Sequence, residues 1–161
     1  MNAVDILKYG QQTVLHTIDG FPDSAWENPG ACGVWSVKDI IAHLASYEQV
    51  LIDVLSTFAG DGPDVSRPYL ARFTEPGGQF NDTEVAVRRE KPIKEVLEEF
   101  NDAHAEVMSM VKQIPPETLR QTGTLPWYGT DYSLDDLLVY MYYGHKREHS
   151  AQIAAFRDQF S

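Results

Sequence analysis

With 161 residues, 43% of them hydrophobic, the chain is long enough for one domain, residues 1–161, with a sizeable core. Its 24 acidic residues against 13 basic ones give a formal net charge of −11, a field that repels phosphate backbones and anionic headgroups and excludes nucleic acid as an expected partner. No apolar run approaches the roughly 20 residues that span a bilayer, no secretory leader is legible, and the single cysteine, Cys32, has no internal partner. A soluble protein of the reducing cytoplasm is expected, with no membrane partner.

Apolar residues at helical spacing define four long segments. The first, residues 2–19, carries Val4, Leu7, Val14, Leu15 and Ile18 and stops at Gly20 before Pro22. The second starts at Ser36, whose hydroxyl caps free amides, with Asp39 three positions on and Trp35 placed to staple onto Ile40. Val37, Ile40, Ile41, Leu44, Tyr47, Leu51, Val54, Leu55 and Phe58 then keep one face until Gly60. A Gly- and Pro-rich connection over 60–91 follows, with Asn81 or Asp82 expected to cap a short helix through Arg89. The third long segment runs from Ile93, behind Pro92, to Ile114, ahead of Pro115 and Pro116. The fourth opens at Tyr132-Ser133-Leu134-Asp135-Asp136, which repeats the aromatic, hydroxyl and acidic order of the second. No period-2 run and no tandem repeat is present, so the fold expected is all-α, a four-helix bundle.

Three histidines carry the functional signal. His145 and His149 are four residues apart, so both rings project from one face of the fourth helix. Leu134, Leu138, Met141, His145, His149, Gln152 and Phe156 form that face, the one a bundle buries. His43 lies on the buried face of the second helix. Imidazoles in an apolar setting need partners, and a divalent ion such as zinc, nickel or iron satisfies several at once. Chain direction decides whether they meet. If the 60–91 connection crosses the bundle, the second and fourth helices are antiparallel. His43, about 10 Å past its cap, then stands level with His149, about 15 Å before the end of its helix. In a simple up-down-up-down order they would be offset by about 8–14 Å. The competing reading of each histidine is a hydrogen-bonded core residue, and it is the preferred one for His104; His16 reads as solvated.

Three imidazoles leave a divalent ion with an open position for water, a thiolate or a substrate oxygen, the pattern of catalytic sites. Tyr47 and Asp39, one turn either side of His43, and Gln152, three after His149, are placed to orient a ring or a bound ligand. Tyr140, Tyr142, Tyr143, Trp127 and Tyr128 are expected to line an entrance pocket. Glu48 and Glu148 are the carboxylates nearest the histidines, but their angular positions aim neither one at the metal as a general base. Cys32 has no adjacent cation to activate it.

Trp35-Ser36-Val37-Lys38-Asp39-Ile40-Ile41-Ala42-His43-Leu44 together with His145-Lys146-Arg147-Glu148-His149-Ser150-Ala151-Gln152-Ile153 resembles the DinB-like (YfiT-like) superfamily of metalloenzymes, over most of the chain. The resemblance implies a four-helix bundle with the crossover between helices two and three. It also implies a divalent metal on His43, His145 and His149, and a homodimer. Family members with an assigned activity are similar to one another in using a low-molecular-weight thiol, mycothiol or bacillithiol, in S-transfer or isomerisation. Together these give a metal-dependent enzyme acting on a small molecule, by thiol S-transfer or hydrolysis. The alternative is a non-catalytic metal- or ligand-binding stress-response module of the same fold.

Overall fold

A computed structural model describes residues 2–60, 62 and 64–160. Helix α1 (Ala3–Ile18) starts where the Asn2 side chain accepts from the amides of Val4 and Asp5. Helix α2 (Val37–Ser56) opens on a complete capping box. Ser36 Oγ accepts from the Asp39 amide, and Asp39 accepts from the Ser36 amide. The crossover holds two helices, α3 (Pro68–Phe73) and α4 (Phe80–Arg88). Neither Asn81 nor Asp82 caps α4, which begins ahead of both at Phe80, after Gln79 and without a side-chain cap. Helix α5 (Ile93–Val111) follows Pro92, and the short α6 (Pro116–Arg120) precedes the last long element.

That last element departs from an uninterrupted α-helix. It begins as α7 (Leu134–Leu137), capped by Ser133 and Asp136. It then widens into a π-helical segment, Leu138–Gly144, and returns to α-helix as α8, His145–Arg157. The residues buried along it explain the widening. Leu134, Leu138, Tyr142, Lys146 and Ser150 are all buried at a strict spacing of four. In an α-helix four residues turn about 40° beyond a full circle, so over four such steps the stripe would drift by about 160°. The wider π turn, in which the His145 amide bonds the Tyr140 carbonyl five residues back, absorbs part of that drift. Tyr142 therefore takes the core position that periodicity assigned to Met141, which is only partly buried.

Two apolar clusters fix the chain directions. One joins Val14 and Ile18 of α1, Val37, Ile40, Ile41 and Leu44 of α2, Val96 and Phe100 of α5, and Ile153 and Phe156 of α8. The other joins Ala3 and Leu7, Val50, Leu51, Val54 and Leu55, Val107 and Val111, and Leu134, Leu137 and Leu138. Starts therefore pack with starts for α2 and α5, which are parallel, while the α7–α8 rod runs against α2 and alongside α1. The crossover allows this order by returning the chain to the end from which α2 began. It is fastened along its length: Asp53 accepts from the Leu70 amide, and Arg67 donates to Ser56. Arg88 is buried and makes paired bonds to Glu99 at 2.8 Å and one to Glu84 at 2.7 Å, an arrangement strong enough to hold α4 against α5. Arg72 reaches the same Glu84 at 2.7 Å. Among the described residues no strand occurs and no helix is long and apolar enough to cross a membrane.

Between the two clusters lies a buried polar layer to which all four long helices contribute. Gln11 comes from α1, His43, Ser46 and Glu48 from α2, the largely buried His104 from α5, and Lys146, His149 and Ser150 from α8. A layer this polar inside a bundle is costly unless its members satisfy one another.

Candidate metal centre

The three histidines converge through a single kind of atom. His43 Nε2 lies 3.0 Å from His145 Nε2, which lies 2.9 Å from His149 Nε2, and the candidate donor atoms of all three rings fall within 4.8 Å of one another. His43 and His149 are buried, with 2% and 7% exposure. The capping boxes at Ser36 and Ser133 set where each histidine-bearing element starts. The antiparallel course of α2 and α8 puts the rings at one height, as the helical spacing required.

Protons alone leave this arrangement short of partners. His145 Nε2 faces two other ring nitrogens but carries either one proton or one lone pair, and so cannot form an ordinary hydrogen bond to both. His149 Nδ1 is 2.8 Å from Gln152 Oε1; donation to that oxygen puts the proton on Nδ1 and leaves the Nε2 lone pair facing inward. A tetrahedral zinc with Zn–N of about 2.0–2.1 Å separates its nitrogens by roughly 3.3 Å. The 2.9 and 3.0 Å contacts to His145 therefore need only a few tenths of an ångström of expansion, and the remaining pair, His43 and His149, lies within 4.8 Å and closes by rotation of the rings about a shared ion. The donor type, the His149 tautomer and the convergence of the three rings fit a divalent first-row ion.

Electrostatics point the same way. Burial, with His145 and His149 adding to it, holds the His43 imidazole down to about 2. Burial and His149 bring His145 to about 4, and burial lowers His149. Neutral rings are the form that binds a cation. His43 Nδ1 is buried without a hydrogen-bond partner, and the Trp35 ring packs 5.0 Å from the His43 ring on the side of the helix start.

The neighbours sort differently from their sequence expectations. Tyr47 stacks against both His43 and His145, with centroids 4.6 and 4.8 Å apart. Gln152 orients His149. Asp39 does not approach the rings, because its carboxylate closes the α2 cap and lies 3.7 Å from Arg89 Nε. Tyr142 is no part of an entrance either. It is fully buried and its hydroxyl donates to the Tyr47 carbonyl at 2.7 Å, tying the π segment to α2 beneath the site. Trp127 stands farther out, edge-on to Phe73, which in turn packs on Tyr47. The crossover thus supplies an aromatic wall, Phe73 and Phe80, that the sequence presented only as a connection. An open cleft of about 350 Å³ reaches His145 between Tyr47, Tyr140, Met141, Gly144 and Glu148.

Sequence reasoning set Glu48 aside as a base, as the structure bears out, but missed Lys146 as its partner. Lys146 Nζ lies 2.5 Å from Glu48 Oε1, both side chains being buried, and also donates to Gln11 Oε1 at 3.0 Å. At 2.5 Å the buried ammonium and the Glu48 carboxylate form a close charge-assisted contact. His104 Nδ1 sits 3.8 Å from the other Glu48 oxygen, an ion-pair distance beyond hydrogen-bond reach. Burial pushes the Glu48 carboxyl up, but Lys146 and His104 together outweigh it and the group is held below its usual range. The available signal was the four-residue spacing Tyr142, Lys146, Ser150, which places a lysine on the buried stripe.

The fold and the site define a class: an all-α protein whose polar centre is three convergent imidazoles able to hold a metal ion. The chain belongs to the DinB superfamily, whose family model matches residues 6–153, from α1 into α8. No curated protein and no solved structure matches it.

Proposed function

We propose that this chain is a divalent-metal-dependent enzyme acting on a small molecule, with His43, His145 and His149 as the metal ligands and thiol S-transfer ahead of hydrolysis. The observation that carries the reading is the convergence of three Nε2 atoms at the end of an open cleft. When bound there, a divalent ion supplies Lewis acidity, lowering the pKa of a coordinated thiol or water. The chain's own residues hold the rings neutral, fix the His149 tautomer through Gln152 and wall the cleft with Tyr47. Hydrolysis further needs a base near the reacting centre. Glu48 is occupied by Lys146 and Asp39 by the cap, and Glu148 stands on the exposed rim. Thiol transfer needs no such base, because metal coordination itself favours the thiolate. We place the protein in the cytoplasm as a single-domain homodimer, readings that rest on its lone unpaired cysteine and on the family.

Metal analysis of tag-free protein purified without added metal, followed by a thiol–electrophile screen with and without chelator, tests this. One equivalent of metal and chelator-sensitive thiol consumption are expected. Stoichiometric metal with no ligand-dependent chemistry would leave the non-catalytic binding module as the better reading, and light scattering of the same sample gives the oligomeric state.

A further inference from the structure

Beyond the metal position, the side chains that line the cleft beside His145 carry one sign of charge. Of the residues that line it, Tyr47, Tyr140, Met141 and Gly144 are uncharged, His145 faces the other two histidines, and Glu148 contributes a carboxylate on the rim. The two cations closest to it in sequence are engaged elsewhere. Lys146 turns into the core onto Glu48 and Gln11, and Arg147 stacks on the Tyr143 ring at 5.4 Å while donating to its hydroxyl. No cation lies within ion-pair distance of Glu148 among the described residues. The net charge of −11 reinforces the same sign at long range.

We infer that this cleft selects its small-molecule ligand by charge, accepting a neutral or cationic body and disfavouring a body that carries carboxylates or phosphates, and that Glu148 sets this preference. The inference rests on the three-histidine metal reading. A ligand directs one donor atom, such as a thiolate sulfur, toward the histidine cluster, and the rest of the molecule lies along Tyr47, Met141 and Tyr140 past Glu148. A positive group on that body meets a carboxylate with no competing counter-ion. A negative group meets like charge and finds no lysine or arginine on the wall. Aromatic faces add attraction for a cation. The size of about 350 Å³ suits a compact molecule rather than a long peptide.

The test uses the Co(II)-loaded protein and three thiols of similar size: cysteamine, 2-mercaptoethanol and 3-mercaptopropionate, whose bodies are cationic, neutral and anionic. Each is titrated while the sulfur-to-cobalt charge-transfer band is followed, in wild type and in Glu148→Gln. Comparing the two proteins for each thiol cancels the differing acidities of the thiols. Glu148→Gln is expected to weaken cysteamine about three- to tenfold, to strengthen 3-mercaptopropionate by a similar factor, and to leave 2-mercaptoethanol within about twofold. The spread should shrink as salt is raised, because the carboxylate is exposed. A common shift for all three thiols, or none, overturns the charge selection while the cobalt spectrum leaves the metal reading standing. A wild-type protein that takes up no Co(II) overturns the metal reading, and this inference with it.

Discussion

Lys146 Nζ and Glu48 Oε1 stand 2.5 Å apart in the middle of the bundle, with 1% and 0% of their side chains exposed. Lys146 directly follows His145, and Glu48 directly follows Tyr47, so the pair joins the two elements that carry the site at the height of the site. It also binds α1 through Gln11, which in turn donates to Asn101 of α5. A buried pair of this kind fixes the rotation of α8 relative to α2, which is what His145 and His149 need if they are to face His43.

Removing one partner strands the other charge in the core. Lys146→Met is expected to cost about 3–5 kcal/mol, whereas the double variant Lys146→Met, Glu48→Leu should recover most or all of that loss. Urea denaturation of the three proteins measures it. A single variant as stable as wild type would show that the pair carries no such cost.

Metal should leave a thermal signature and depend on the ring neighbours. At a free-metal concentration of about 100 times Kd, binding stabilises the protein by about 2.7 kcal/mol, roughly 5–11 °C in melting temperature for a chain of this size. Chelation should reverse the shift, and His43→Ala should abolish it. Gln152→Ala removes only the group that orients His149, and about a 10- to 100-fold loss of metal affinity is expected. Calorimetric titration gives these values directly. An unchanged affinity in Gln152→Ala would remove the orienting role.

Acid should destabilise the metal-free protein from near pH 6.5 downward. Folded His43 stays neutral to about 2 and His145 to about 4, both because burial disfavours the charged ring, whereas the unfolded chain takes up those protons near 6.5. Between these limits the unfolded state binds more protons, so stability falls as pH falls, by up to about 1.4 kcal/mol per pH unit for each ring. Glu48, held low against Lys146, adds its own loss only below its unfolded value of 4.5. Denaturation midpoints from pH 7 to 5 should therefore slope less in His43→Gln than in wild type. Equal slopes would contradict the buried, neutral state of His43.

Gly10 marks where α1 touches the π segment. A Cβ at that position would sit 2.6 Å from the Tyr142 carbonyl oxygen, a backbone atom that cannot swing aside. Alanine normally improves a helix by about 1 kcal/mol over glycine, but here overpacking should dominate and leave Gly10→Ala about 1–2 kcal/mol less stable. A thermal melt that rises on this substitution would mean that α1 can shift away freely.

The sequence by itself determined the parts of this protein that depend on a few neighbouring residues. Ser36 with Asp39 and Ser133 with Asp136 specify two helix starts, because a cap is a bond across three residues. The spacing of His145 and His149 places both rings on one side, because four residues make about one turn. Tertiary structure alone decided the rest. His43 and His145 are 102 positions apart, and their meeting depends on the crossover that sets α2 against α8 and on the π segment that rotates the stripe so that Tyr142 and Lys146 turn inward. Asp39 was drawn into its own cap, Tyr142 under the floor of the site and Glu48 onto Lys146. Local periodicity tells which face of a helix is buried. It does not tell which buried group on a neighbouring helix will stand opposite, since that depends on the direction, height and rotation of elements far apart in the chain.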